Sequence, residues 1–188
     1  MSRAVSHAAL VQHLLDHSVR TGDFTLKSGK RSSWFIDSKQ TACDPDGIVL
    51  MADVALDGVI PDDATAIGGL TVGADPVAYG VAAVAATRGR RLRSFTIRKE
   101  AKDHGVTGRL AGPLRAGDKV VITEDTVTRG TSLFEAVSVV TELGATVVLI
   151  MPLVDRGGTC AAMAAEAGIP YHPLVTALDL GFDYEGPA

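Results

Sequence analysis

The run Lys119-Val120-Val121-Ile122-Thr123-Glu124-Asp125-Thr126-Val127-Thr128-Arg129-Gly130-Thr131-Ser132 limits what this chain can fold into more than any other stretch. Its first half is apolar and β-branched, which suits a buried strand. Two adjacent carboxylates close the strand. A turn of hydroxyls with one glycine follows, and Leu133-Phe134-Glu135-Ala136-Val137 opens a helix. A helix start carries free N–H groups and the positive end of the dipole, so with hydroxyls beside it the turn fits a phosphate. Glu124 and Asp125 cannot face that same phosphate, because the charges repel. They suit neutral hydroxyls next to it, and a sugar phosphate meets both demands. The structural alternative is a βα turn whose Thr and Gly serve only as a cap.

The rest of the chain reads as strands alternating with helices. Val5, Ala8, Ala9, Val11, Leu14 and Leu15 give a helical stripe ending before Thr21-Gly22, with His7, His13 and His17 on a solvated face. Phe24 to Lys27 and Ser33 to Asp37 read as short strands around a hairpin turn. Trp34 and Phe35 stand near Lys27, and an aromatic face beside a cation suits a flat anionic heterocycle. Equally, Trp34 could cap the core. Asp44-Pro45 starts a second helix, with a capping carboxylate and Pro in the first turn.

A short strand over 64–70 carries Gly68-Gly69, and a helix follows from Pro76 to Ala86. Neither the Gly-x-Gly-x-x-Gly nor the Gly-x-x-x-x-Gly-Lys spacing occurs in that turn. Residues 92–97 form the next strand, and 99–112 read as a mobile loop with positive charge at its base. After the opening run come a helix to Leu143, a strand over 145–154, a helix over 161–167 and a last strand over 171–177. Such βαβ alternation predicts an α/β fold with a mainly parallel sheet flanked by helices. Ligands then bind at the carboxyl ends of the strands, where Glu124 to Ser132, Arg98 to His104 and Asp155-Arg156 all fall.

Composition narrows the options. A chain of 188 residues with net charge −4 is long enough for one well-filled domain and is not the basic surface of a general nucleic-acid binder. Cys43 and Cys160 lack metal-ligand spacing and read as reduced, buried or half-buried thiols. No run has the length of a membrane span, and the first residues lack the apolar core of a signal peptide. No membrane partner and a cytoplasmic location are therefore expected.

Four stretches together resemble the orotate phosphoribosyltransferases, a family of the type I phosphoribosyltransferases: Phe24-Thr25-Leu26-Lys27-Ser28-Gly29, Arg98-Lys99-Glu100-Ala101-Lys102-Asp103-His104-Gly105, Glu124 to Ser132, and Val154-Asp155-Arg156. The resemblance runs from about residue 20 to residue 180. It implies the type I phosphoribosyltransferase fold as a single domain, with a small N-terminal hood (about 1–42) containing the β-hairpin and a core (about 43–188). It implies transfer of the phosphoribosyl group of phosphoribosyl diphosphate (PRPP) to orotate, giving orotidine 5′-monophosphate and diphosphate, a step of pyrimidine biosynthesis.

The site residues follow from the same resemblance. PRPP is expected on Arg98, Lys99, Lys102, His104, Glu124, Asp125, Thr126, Val127, Thr128, Arg129, Gly130, Thr131 and Ser132, with Lys102, Asp125 and Lys99 closest to the chemistry. Orotate is expected on Lys27, Phe35, Thr128 and Arg156, the guanidinium taking the carboxylate. Mg²⁺ is expected mainly through PRPP, with Asp125 a candidate ligand through water. A homodimer is implied, in which the basic loop 98–112 completes the neighbouring site, Lys99 among its residues. One departure stands out: where many family members carry an aromatic-lysine pair after the Gly-Gly strand, this chain has Thr71-Val72. A phosphoribosyltransferase for another base, or a pyrimidine-sensing RNA-binding regulator on the same fold, are the competing readings.

Overall fold

The computed structural model describes residues 3–25, 29, 31–102 and 108–186, and of residues 101 and 102 the backbone alone. Helix α1 (Arg3–His17) is followed by an antiparallel hairpin, β1 (Val19–Thr25) and β2 (Arg31–Ile36). Two helices come next, α2 (Lys39–Ala42) and α3 (Pro45–Leu56), then β3 (Ala66–Leu70), α4 (Ala74–Thr87), β4 (Arg93–Lys102) and β5 (Gly108–Ala111). The second half runs β6 (Lys119–Ile122), β7 (Thr126–Val127), α5 (Thr131–Glu142), β8 (Thr146–Ile150), β9 (Val154–Asp155), α6 (Cys160–Glu166) and β10 (Val175–Thr176).

The central sheet has the order β5-β4-β3-β6-β8, parallel except where β5 returns antiparallel along β4. The expected α/β fold with a mainly parallel sheet is thus the one found. Period-2 alternation fills both faces. Ile67, Val121 and Leu149 pack into a core shared with Leu10 and Leu14 of α1 and with the buried faces of α3 and α4. Their neighbours Ala66, Val120, Ile122 and Ile150 point the other way, onto Leu133, Ala136 and Val140 of α5. Complete burial of a leucine such as Leu10 or Leu14 is worth about 2 kcal/mol relative to exposure. The hairpin therefore rests on a framework that both clusters hold.

Local chemistry sets the helix starts. Asp44 caps α3 by accepting from the Asp46 and Gly47 amides at 2.9 and 3.2 Å, with Pro45 in the first turn. Gly130 precedes α5 with φ of +81°, a left-handed conformation that glycine adopts without steric cost.

Several element boundaries differ from the sequence reading, among them the last strand, expected over 171–177 but found as Val175–Thr176 with an isolated bridge at Tyr171. The first hairpin strand starts at Val19, earlier than Phe24. Residues 99–102 and 108–111 are arms of a β-hairpin rather than loop, because their backbone pairs from Thr96↔Ala111 out to Lys102↔Gly108. The apolar run 145–154 is two strands. Met151-Pro152-Leu153 interrupts it, and Val154–Asp155 joins a small parallel sheet ordered β10-β9-β7. Proline has no N–H for a ladder, which fits the break there. Both cysteines are free, Cys160 buried but Cys43 exposed. His13 is also not on a solvated face: it sits 3.1 Å from Thr41 Oγ1 and 3.3 Å from Asp44 Oδ1.

Candidate active site

A cavity of about 1420 Å³ opens at the carboxyl ends of β3 and β6, between the hairpin and the start of α5. Thr126 to Ser132 line it continuously, together with Glu124 and Asp125. Thr131 and Ser132 occupy the first turn of α5, whose leading amides have no partner within the helix. The sequence-predicted phosphate turn and acidic pair therefore share one cavity. Arg129 is exposed and on its lining, so it faces the cavity mouth.

The acidic pair is held from several sides. Leu153 and Val154 donate backbone bonds to the Glu124 and Asp125 carbonyls at 2.8 and 3.0 Å. Thr126 N donates to Asp125 Oδ1 at 2.8 Å, and Asp125 N to Glu124 Oε1 at 3.2 Å. The turn 71–73 crosses directly over the pair, and a Cβ on Gly73 would overlap Glu124 Oε1. Its Thr71-Val72 peptide is cis. Glu124 is 7% exposed. Burial, then the Asp125 charge, push its carboxyl up to about 7, so near neutrality it exchanges a proton readily.

Lys39, which sequence reasoning missed, supplies the counter-charge. Its Nζ donates to Asp125 Oδ2, and the side chain lines the cavity. Burial opposes the Lys39 charge, but the Asp125 bond and the surrounding carboxylates outweigh it and hold the ammonium above its ordinary range. Next to it, Ser38 Oγ and Thr126 Oγ1 lie 2.7 Å apart. A lone lysine between a strand and a capped helix carries no signal that it meets a carboxylate 86 residues away.

At the acceptor end, Phe35 is 40% exposed and lines the cavity, whereas Trp34 is buried and stacks on Phe182 at 4.5 Å. Trp34 therefore caps the core, and Phe35 is open to a ligand, with the Phe24 ring 5.9 Å away on the same lining. Arg156 also lines the cavity. Its Nη2 donates to Trp34 O at 3.1 Å and to Glu185 Oε1 at 2.7 Å, and the guanidinium carbon sits 4.9 Å from the Trp34 ring centroid. Thr128 completes this end, its carbonyl accepting from Thr159 Oγ1 at 2.7 Å.

The basic stretch is divided. Lys99 is exposed and lines the cavity of its own chain. Arg98 turns instead to the hairpin, donating to Gly108 O at 3.3 Å, and does not line the cavity. Lys27 and His104 lie outside the described residues, as does the Lys102 side chain. Among the described residues no cluster of three or more His, Cys, Asp or Glu is arranged to hold a metal ion.

The geometry is that of a sugar-phosphate site beside an aromatic pocket with a guanidinium, and comparison with known proteins decides between the competing readings. The chain is 42% identical over 176 residues to an orotate phosphoribosyltransferase of Streptomyces avermitilis, covering 93% of this chain and 97% of that one. The chain belongs to the orotate phosphoribosyltransferase family. No protein-family model matches it. Among solved structures, the Mycobacterium tuberculosis orotate phosphoribosyltransferase in complex with Fe(III) dicitrate superposes with a TM-score of 0.79 at 32% identity, covering 94% of this chain and 99% of that one. The same enzyme in complex with PRPP gives 0.75 at 29% identity, covering 94% and 99%.

Proposed function

We propose that this protein transfers the 5-phosphoribosyl group from PRPP to orotate, releasing diphosphate and forming orotidine 5′-monophosphate. One observation carries the reading: the acidic pair and the hydroxyl turn at the head of α5 line a single cavity that also holds Phe35 and Arg156. The turn from Thr128 to Ser132 receives the 5′-phosphate through its amides and hydroxyls. Glu124 and Asp125 accept hydrogen bonds from the ribose hydroxyls and so fix the anomeric carbon. Lys99 and, by family resemblance, Lys102, Arg98 and His104 offset the charge that grows on the departing diphosphate. Orotate lies along Phe35 with its carboxylate toward Arg156, and Lys27 belongs to the same group by resemblance. The C–O bond to diphosphate breaks as the ring nitrogen bonds to the anomeric carbon.

The oxygen donors of Glu124 and Asp125 suit Mg²⁺, which takes one or two carboxylates and otherwise substrate phosphates and water. Asp125 is already engaged by Lys39, which favours contact through water. The ion, when bound, neutralises diphosphate charge.

The reading includes a single domain, with a hood of about residues 1–42 over a core of about 43–188. Support comes from the continuous hydrophobic cluster joining Leu14, Trp34 and Ile36 to Val121 and Leu149. It also includes a homodimer in which residues 98–112 complete the neighbouring site, supported by the exposed Glu100 near the outer end of β4, whereas Lys99 lines the cavity of its own chain. A cytoplasmic enzyme without membrane or nucleic-acid partners is part of the same reading, supported by the net charge of −4. Incubation with PRPP, Mg²⁺ and orotate should yield orotidine 5′-monophosphate and diphosphate in equal amounts. Hydrolysis of PRPP with orotate untouched would contradict the reading.

A further inference from the structure

The last described residues are strapped across the acceptor end of the cavity. Phe182 stacks on Trp34 with the ring planes 7° apart, and the Tyr184 ring lies against Gly158. Glu185 N donates to Arg156 O at 3.1 Å, and Gly186 N to Gly157 O at 3.2 Å. This backbone pairing delivers the Glu185 carboxylate onto the Arg156 guanidinium. Oε1 accepts from Nη2 at 2.7 Å and from Ser32 Oγ at 2.6 Å. Both charged side chains are 8% exposed, and both residues line the substrate cavity. Arg156 Nε is buried with no hydrogen-bond partner among the described residues, so a carboxylate that replaced Glu185 in bidentate fashion would gain a donor that Glu185 leaves unused.

We propose that Glu185 is an internal occupant of the acceptor-carboxylate position, and that orotate enters by exchanging its own carboxylate for that of Glu185. The proposal rests on the reading of Arg156 as the residue that receives the acceptor carboxylate. A buried guanidinium is costly to leave unpaired, so Glu185 compensates Arg156 while the site is empty. Two carboxylates cannot both sit on one buried cation without strong repulsion, so the tail must yield when the acceptor binds. The short strap makes the exchange feasible. It is anchored by the backbone bonds of Phe182, Glu185 and Gly186 and by two ring contacts, and among the described residues it belongs to no sheet or helix. A tail docked about nine-tenths of the time lowers apparent acceptor affinity about tenfold, because only the undocked fraction is competent.

The test compares Glu185→Gln, a chain shortened to end at Asp183, and Arg156→Gln in steady-state kinetics with orotate and PRPP varied separately. Removing the competing carboxylate, by either of the first two changes, should lower the KM for orotate about tenfold and leave the KM for PRPP and kcat within about twofold. A purely structural role for Glu185 moves the orotate KM the other way, since a loosened pocket binds less well. The shortened chain answers the question if the Gln variant does not fold. An orotate KM that is unchanged or raised in these variants, while Arg156→Gln raises it strongly, would overturn the proposal and leave the Arg156 reading standing. An orotate KM unaffected by Arg156→Gln would remove that reading, and the proposal with it.

Discussion

The ammonium of Lys39 sits on the carboxylate of Asp125 and ties the helix after the hairpin to the strand end that carries the acidic pair. Thr71 and Val72 in the turn over the pair bring no cation, and Lys39 lines the same cavity with one. It orients the Asp125 carboxylate. Lys39→Met should raise the KM for PRPP about tenfold, the scale of one charge-assisted hydrogen bond, with a smaller change for orotate. Lys39→Arg should recover most of the loss. Initial rates with each substrate varied decide the point, and equal effects on both substrates would assign Lys39 to general folding.

Glu124 gives the site a pH dependence of definite sign. Its carboxyl is raised on folding from 4.5 to about 7, mainly by burial. The protonated form is thus favoured in the folded state. This contribution is full below about pH 4.5 and is lost as pH rises through about 7. At about 1.4 kcal/mol per pH unit the span caps the effect near 3 kcal/mol. Urea unfolding of wild type and Glu124→Gln should show the wild type losing stability relative to the variant between about pH 4.5 and 7. Ribose hydroxyls donate to the ionised carboxylate, so the KM for PRPP should rise as pH falls below about 7 in wild type and not in the variant. A stability difference that stays flat across this range would contradict the assignment.

Gly73 tests the packing of the turn over the pair. Its φ of −66° is open to any residue, so the constraint is space: an added Cβ would overlap Glu124 Oε1 and come within 2.7 Å of Asp125 Oδ1. Gly73→Ala should cost about 1–3 kcal/mol in chemical denaturation. It should also raise the KM for PRPP at least as much as the Lys39 change. A variant with wild-type KM would show that the turn yields without moving Glu124.

Lys102→Ala should lower turnover about a hundredfold, about 3 kcal/mol of transition-state stabilisation, with little change in Tm. If the basic stretch serves the neighbouring subunit, mixing this variant with Arg156→Gln rebuilds an intact site. The two lesions then fall in one site of each mixed dimer and leave the other whole. Half the dimers of an equal mixture are mixed, so about a quarter of wild-type activity should return. Activity no higher than the sum of the two variants would place Lys102 in its own chain's site.

What the sequence made legible followed from local chemistry. The strand, acidic pair, turn and helix over 119–142 were readable because apolar β-branching, adjacent carboxylates and a glycine turn each report on their own neighbourhood. The Asp44-Pro45 helix start was readable for the same reason. The start of β1 was not, since Val19–Thr25 is mostly exposed and offers no alternation of apolar residues. The charged arms of β4 and β5 escaped likewise, their pairing being carried by backbone rather than side chains. The 145–154 run read as one strand because the move from one sheet to the other at Pro152 keeps every residue apolar. Lys39 and Glu185 were beyond reach, as each owes its role to a partner brought near only by the fold, Asp125 for one and Arg156 for the other.

The central claim is that this cavity joins a phosphoribosyl group to a carboxylated base. Supplying the protein with PRPP and Mg²⁺ and offering orotate, uracil and hypoxanthine in separate reactions measures this directly, by the nucleotide formed from each. Orotate should be converted with a kcat/KM at least about a hundredfold above uracil, which differs by the carboxylate that Arg156 receives, in line with a site whose buried charge goes unpaired by the wrong substrate. Conversion of uracil or hypoxanthine with orotate left unconsumed would contradict it.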